Sequence, residues 1–145
     1  MADLNTVYIA DASVIIKWAI NEAQNLEEAL TLREDFLGEK VEIRVPVHCF
    51  PEVCNLLGRQ YSGIAVSFFS YLVTSGIEEK HLDLELATIT FRLMEKYERI
   101  SFYDAFYHAL AIREKGMFIT ADEKYFRKTK KEGSVMLLKD YGQKK

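Results

Sequence analysis

Short apolar runs alternate with stretches of helical periodicity along the chain. Runs rich in β-branched and aromatic residues predict strands at Thr6–Ala10, Val41–Val47, Lys80–Leu84, Met117–Thr120 and Val135–Leu138. Apolar residues at helical spacing predict helices at Ser13–Ile20, Leu26–Leu37, Ile64–Val73, Ala87–Tyr97, Phe102–Lys115 and Asp122–Lys131, and one more with Pro51 in its first turn. This alternation predicts an α/β fold with a mostly parallel central sheet of about five strands, flanked by helices on both faces.

Two details of this pattern are more specific. Pro46 lacks a main-chain N–H for the ladder, which favours a position near a sheet edge for Val41–Val47. The helices Ala87–Tyr97 and Phe102–Lys115 are both predicted to be amphipathic.

Composition narrows the class of protein. The chain has 145 residues, of which 49% are hydrophobic, so we expect one globular domain over 1–145 with its core at about 6–141. Neither an apolar run long enough to span a bilayer nor a leader pattern is evident, and the two cysteines suit free, buried thiols. A cytoplasmic protein is the expectation.

The charge is unevenly distributed. The net charge is −3, yet residues 124–145 carry eight bases and two acids. The chain therefore combines an acidic body with a basic C-terminal end, and the small net charge hides both.

Four acids stand where predicted elements end or begin. Asp11 follows the first strand and Asp122 follows Met117–Thr120, while Glu52 and Asp104 lie in first turns of helices. Since ligands of parallel α/β sheets bind beyond the carboxyl ends of the strands, we expect these carboxylates to converge in one crevice. Like charges at that spacing favour a cation with oxygen ligands, Mg²⁺ or Mn²⁺, and metal-assisted hydrolysis of a phosphodiester.

Each acid also has a purely structural explanation. Ser101 with Asp104 and Thr120 with Glu123 resemble capping boxes. Glu52 can complement a helix N-terminus, and Asp11 can begin a turn that Ser13 closes.

Four segments resemble the motifs of PIN-domain nucleases, and most closely those of VapC-type toxins of prokaryotic toxin–antitoxin pairs. These segments are Asp11–Trp18 (DASVIIKW), Pro51–Asn55 (PEVCN), Tyr103–Leu110 (YDAFYHAL) and Phe118–Glu123 (FITADE). They occur in the family's order, and the resemblance covers nearly the whole chain. It implies Mg²⁺- or Mn²⁺-dependent cleavage of RNA, a homodimer, and inhibition by a small antitoxin protein that covers the active cleft.

The resemblance also assigns roles to residues. Asp11, Glu52, Asp104 and Asp122 match the acidic quartet that binds metal and catalyses. Ser13, Asn55 and Thr120 match polar positions that support the site, and the aromatic segment around Phe68–Leu72 matches a region that helps to form the antitoxin groove, although core packing explains it equally.

Several alternatives stay open at this point. Lys124, Arg127 and Lys128 suit an RNA-binding rim beside the cleft or simply a solvated helix face. His108 shares a helix face with Asp104 and either supports the site or faces a dimer partner. A housekeeping RNA-processing nuclease and a non-catalytic PIN-fold scaffold remain alternatives to a toxin. A receiver domain and a haloacid-dehalogenase-type phosphatase lack the acid pairs that they need.

Overall fold

A parallel sheet organises the part of the chain that the computed structural model describes, residues 5–21 and 24–143. Its strands are β1 (Thr6–Ala10), β2 (Val41–Pro46), β3 (Glu78–Lys80), β4 (Met117–Thr120) and β5 (Val135–Leu137). All four pairings are parallel, and the strand order is β3-β2-β1-β4-β5. The predicted α/β fold with a five-stranded parallel sheet is confirmed.

Helices connect the strands, as parallel pairing requires. They are α1 (Ala12–Ile15), α2 (Leu26–Leu37), α3 (Cys49–Gln60), α4 (Ser62–Thr74), α5 (Leu84–Lys96), α6 (Phe102–Arg113) and α7 (Glu123–Thr129). Short 3₁₀ turns cover Ile16–Trp18, Lys130–Glu132 and Leu138–Asp140. None of the described helices is both long and apolar enough to cross a membrane.

Most predicted elements are found within a few residues of their expected bounds, and three differ in place or extent. The predicted position of the strand Lys80–Leu84 is wrong, because β3 ends at Lys80 and Leu84 already begins α5. The strand β2 lies one place inside the sheet, since the short charged β3 covers its outer side. The helix predicted over Ser13–Ile20 is a short α1 followed by a 3₁₀ turn.

The helix α6 differs most from its prediction. Seven consecutive residues, from Ala105 to Ala111, are buried, so α6 is buried all round and not amphipathic. It packs against α5 and against β1, β2 and β4. The turn after α6 approaches β1 so closely that a Cβ on Gly116 would lie 2.3 Å from the main-chain oxygen of Val7. This central helix carries Asp104 in its first turn, and its position is therefore fixed by the core.

Candidate active site

The first and last acids meet at the carboxyl edge of the sheet. Because β1 and β4 are parallel neighbours, the chain leaves both strands on the same side. The Asp11 N–H donates to the carbonyl of Ile119 at 3.0 Å, which holds Asp11 beside the end of β4. Only 9% of Asp11 is exposed.

Two hydroxyl groups hold the Asp11 carboxylate. Its Oδ2 accepts hydrogen bonds from Ser13 Oγ at 2.9 Å and from Thr120 Oγ1 at 2.7 Å. The Thr120 hydroxyl also accepts from the Asp122 N–H at 3.0 Å, and the Ser13 hydroxyl accepts from the Ala121 N–H at 3.2 Å. These two hydroxyls therefore tie the loop after β4 to Asp11.

A tyrosine hydroxyl orients the Glu52 side chain. Its Oε1 accepts a hydrogen bond from the Tyr107 hydroxyl at 2.8 Å. The same hydroxyl oxygen accepts from the Ala12 N–H at 3.3 Å. The Tyr107 ring is buried and stacks on Phe118, with ring centroids 5.3 Å apart and planes 12° apart. The buried Tyr107 ring thus places its hydroxyl group beside Glu52 in the candidate site.

The start of α6 positions Asp104. The Ser101 Oγ accepts a hydrogen bond from the Asp104 N–H at 3.0 Å, so the predicted N-cap at Ser101 is confirmed. The second predicted capping box is wrong: Asp122 caps α7 by accepting from the Tyr125 N–H at 3.0 Å. Thr120 still belongs to β4, where its hydroxyl is bound to Asp11.

Asp104 lies between two open cavities. One, of about 460 Å³, is lined by His48, Pro51, Glu52, Asn55, Ser101, Tyr103 and Asp104. The other, of about 200 Å³, is lined by Arg99, Ile100, Ser101, Asp104, Asp122, Lys124, Tyr125 and Lys128. Of the predicted basic rim, Lys124 and Lys128 line the second cavity and Arg127 lines neither. Lys144 and Lys145 of the basic C-terminal end lie outside the described residues.

Burial and mutual repulsion raise the pKa of three acids. Burial raises the pKa of Asp11, as does nearby Asp122, while the hydrogen bonds from Thr120 and Ser13 lower it. Burial, followed by the charges of Asp11 and Asp122, raises the pKa of Asp104 to about 6. The pKa of Glu52 rises through burial and through Asp11 and Asp104, and the Tyr107 hydroxyl opposes this.

The donor set fits Mg²⁺ or Mn²⁺ in its chemistry, because both ions prefer carboxylate oxygens and leave positions for water. The described hydrogen bonds engage one oxygen each of Asp11, Glu52 and Asp122. As these side chains stand, however, no three His, Cys, Asp or Glu of the described chain are close enough to hold one ion. The carboxylates thus converge less closely than predicted, and side-chain rotation would be needed for three of them to share one ion.

Comparison with protein families gives the same assignment as the motifs. The sequence profile of the PIN domain matches residues 8–132. The chain belongs to the PIN domain family. A search of curated proteins found no match.

Solved structures share the fold of this PIN domain. A toxin–antitoxin complex from Klebsiella pneumoniae aligns with a TM-score of 0.68 and 13% identity, over 92% of this chain and 98% of that one. VapBC-1 of nontypeable Haemophilus influenzae aligns with a TM-score of 0.65 and 14% identity, over 91% and 98%. VapC20 of Mycobacterium tuberculosis, a sarcin–ricin-loop-cleaving toxin, aligns with 0.60 and 14%, over 77% and 85%.

Two histidines of this PIN domain lie where the sequence did not predict them. His108 is fully buried, so it does not face a dimer partner: its Nε2 donates to the Gly133 carbonyl at 2.8 Å, and its Nδ1 bonds the Tyr125 hydroxyl at 2.8 Å. His48, to which the sequence assigned no role, lines the larger cavity one helical turn before Glu52.

Sequence reasoning missed His48, Tyr107 and Arg99. The i,i+4 spacing of His48 and Glu52 was a usable signal, as was the i,i+3 spacing of Asp104 and Tyr107. Arg99 carried none, because it lies in the loop before α6 and reaches the cavity only through the fold.

Proposed function

We propose that this PIN domain is a metal-dependent endoribonuclease and the toxin of a VapBC-type pair. The observation that carries the proposal is the buried Asp11 carboxylate, which two hydroxyls hold and which Asp104 and Asp122 repel, with Asp104 lining both cavities. A site of this kind is suited to a divalent cation.

The proposed metal ligands are Asp11, Glu52, Asp104 and Asp122. A divalent cation held there supplies Lewis-acid chemistry for phosphodiester hydrolysis. The overall reaction adds one water across a P–O bond and leaves one phosphate end and one hydroxyl end. No side chain needs to act as the nucleophile.

The chain's other residues position these acids. Ser13 and Thr120 fix the orientation of the Asp11 carboxylate, and Tyr107 fixes Glu52. Hydrogen-bonded partners of metal ligands restrict ligand orientation and thereby favour binding. Asn55 supports the site from the wall of the larger cavity.

A cleavage assay tests the nuclease proposal. The purified protein is incubated with total cellular RNA and Mn²⁺ or Mg²⁺, and the new ends are sequenced. We expect cleavage that EDTA, Asp11→Asn and Asp104→Asn each abolish, with the variants still folded. Asp140→Asn is the matched control, because Asp140 is exposed and lines neither cavity. Full activity of both site variants would refute the proposal.

The proposed partners are a small antitoxin and a second copy of the chain. The helix α4 exposes apolar side chains, with Val66 84%, Val73 54% and Phe69 40% exposed. Apolar surface of this kind supports a protein partner. Co-expression with the product of a small neighbouring reading frame should give a complex that no longer cleaves RNA, and light scattering of the free protein should give twice the monomer mass. A housekeeping nuclease would lack such a partner.

A further inference from the structure

The larger cavity beside Asp104 has an aromatic wall that takes no part in the proposed hydrolysis. Tyr103 is 63% exposed although it directly precedes Asp104. His48 and Pro51 line the same cavity. An exposed aromatic side chain at the rim of a catalytic cleft offers a flat surface to a ligand, whereas a tyrosine needed for the core would be buried.

This wall is rigid. The His48 ring lies 5.3 Å from the Tyr103 ring and 4.8 Å from the Tyr107 ring, both in edge-to-face geometry. Its Nε2 donates a hydrogen bond to the Tyr103 carbonyl at 3.1 Å, which also fixes the tautomer. Tyr107 is itself fully buried. Ordered aromatic surfaces bind flat ligands at a small entropic cost.

The smaller cavity on the other side of Asp104 has the opposite character. Arg99, Lys124 and Lys128 line it, and Lys128 Nζ donates to the Arg99 carbonyl at 3.3 Å. Bases of this kind attract phosphates. A ligand that crosses Asp104 therefore meets an aromatic wall on one side and positive charge on the other.

We propose that the cavity of His48, Pro51, Asn55 and Tyr103 binds the nucleobase next to the scissile phosphate, stacked on Tyr103. The adjoining phosphate of the strand lies in the cavity of Arg99, Lys124 and Lys128. The Asn55 amide, with one donor group and one acceptor, is suited to reading the edge of the base. This inference rests on the proposed RNA substrate and assigns the path along which the strand crosses the site.

The charge pattern favours a nucleic acid over a protein segment as the occupant. Arg99, Lys124 and Lys128 line the cavity directly beyond Asp104, where they attract the phosphate that adjoins the base. A single strand offers what both sides require, because its bases carry π-faces and its backbone carries negative charge.

The test compares RNA octamers that differ only in their bases. Fluorescein-labelled (A)₈, (U)₈, (C)₈ and an abasic octamer with the same number of phosphates are titrated with protein in EDTA at fixed low salt, so that nothing is cleaved. We expect (A)₈ to bind roughly tenfold more tightly than the abasic octamer, as stacking on one aromatic side chain implies.

Variants test whether the aromatic wall causes this difference in affinity. Tyr103→Ala should abolish most of the preference for bases, while Tyr103→Phe, which retains the ring, should keep it. Phe91→Ala is the matched control, since Phe91 is an exposed aromatic residue that lines neither cavity. Asn55→Ala should change the order of affinities among (A)₈, (U)₈ and (C)₈.

The outcomes separate this inference from the nuclease proposal. Three results would each overturn the base pocket, even if the protein cleaves RNA: equal affinity for base-bearing and abasic octamers, an unaffected Tyr103→Ala variant, or no binding of any octamer. The cavity would then be assigned to a protein segment. An unchanged order of affinities in Asn55→Ala would overturn the role of Asn55. Base-dependent binding by a protein that cleaves no RNA would refute the nuclease alone.

Discussion

Replacing Asp104 with asparagine should stabilise the metal-free protein at neutral and alkaline pH. Burial, with the charges of Asp11 and Asp122, raises the pKa of Asp104 from 3.8 to about 6. A full shift of that size corresponds to about 3 kcal/mol. Because the carboxyl is partly exposed, solvent screening reduces the penalty to about 1–2 kcal/mol. For a domain of this length, we expect the melting temperature to rise by about 3–6 °C.

The pH dependence identifies the cause. Below pH 3.8 the Asp104 carboxyl is protonated in both the folded and the unfolded state, so the native protein and Asp104→Asn should be equally stable. Between pH 3.8 and 6 the unfolded chain releases its proton first, and the native protein loses stability as the pH rises. The difference should be complete above about pH 6.

Thermal and urea unfolding in EDTA between pH 4 and pH 8 measure this difference. Addition of Mg²⁺ at pH 8 should raise the melting temperature of the native protein more than that of Asp104→Asn, since a ligand at a hundred times its Kd adds about 2.7 kcal/mol. Asp140→Asn again serves as the control. A variant that is equally stable or less stable than the native protein at pH 8 would refute the electrostatic reasoning.

Three further substitutions test the supports of the site and of the fold. Tyr107→Phe keeps the stacked ring but removes the donor to Glu52, so Mn²⁺ affinity by calorimetry should fall roughly 10- to 100-fold. Thr120→Val removes a hydroxyl from the buried Asp11 carboxylate and should lower the free energy of unfolding by about 1–3 kcal/mol in urea. Gly116→Ala forces a Cβ against the main chain of β1 and should cost about 3 kcal/mol in the same assay.

Each of these three predictions has an outcome that would contradict it. Native Mn²⁺ affinity in Tyr107→Phe would mean that Glu52 needs no fixed orientation. Native stability in Thr120→Val would mean that Ser13 alone holds Asp11. Gly58→Ala is the control for Gly116→Ala, since a Cβ there meets nothing within 4 Å and favours the helix; equal effects of the two would contradict the close approach.

The positions of the four acids were accessible from the sequence because each is tied to an element boundary. A buried strand such as β1 ends where its apolar run ends, and Asp11 follows directly. Parallel pairing then determines which ends share an edge, so Asp122 could be placed at the same edge as Asp11 before the strand order was known. Local pattern and topology together carry that much information.

The supporting contacts were less accessible, because they join residues far apart in the chain. Tyr107 reads as a core residue, and its ring is indeed core; only the three-dimensional arrangement shows that its hydroxyl reaches Glu52, 55 residues away. Thr120 has the spacing of a helix cap, and only the family resemblance assigned it a supporting role; its hydroxyl binds Asp11 across 109 residues. A hydroxyl can serve either purpose, and spacing alone does not choose between them.

Hydroxyls in place of bases around Asp11 suit the proposed metal site. A lysine or arginine paired with the buried carboxylate would offset its charge and lower its pKa, but it would also occupy the place of a cation. Ser13 and Thr120 stabilise the ionised form by hydrogen bonds and add no positive charge. The repulsion among Asp11, Asp104 and Asp122 therefore persists in the metal-free protein. The same repulsion favours a divalent cation, so the substitution that relieves it in Asp104→Asn should stabilise the fold and abolish the proposed cleavage together.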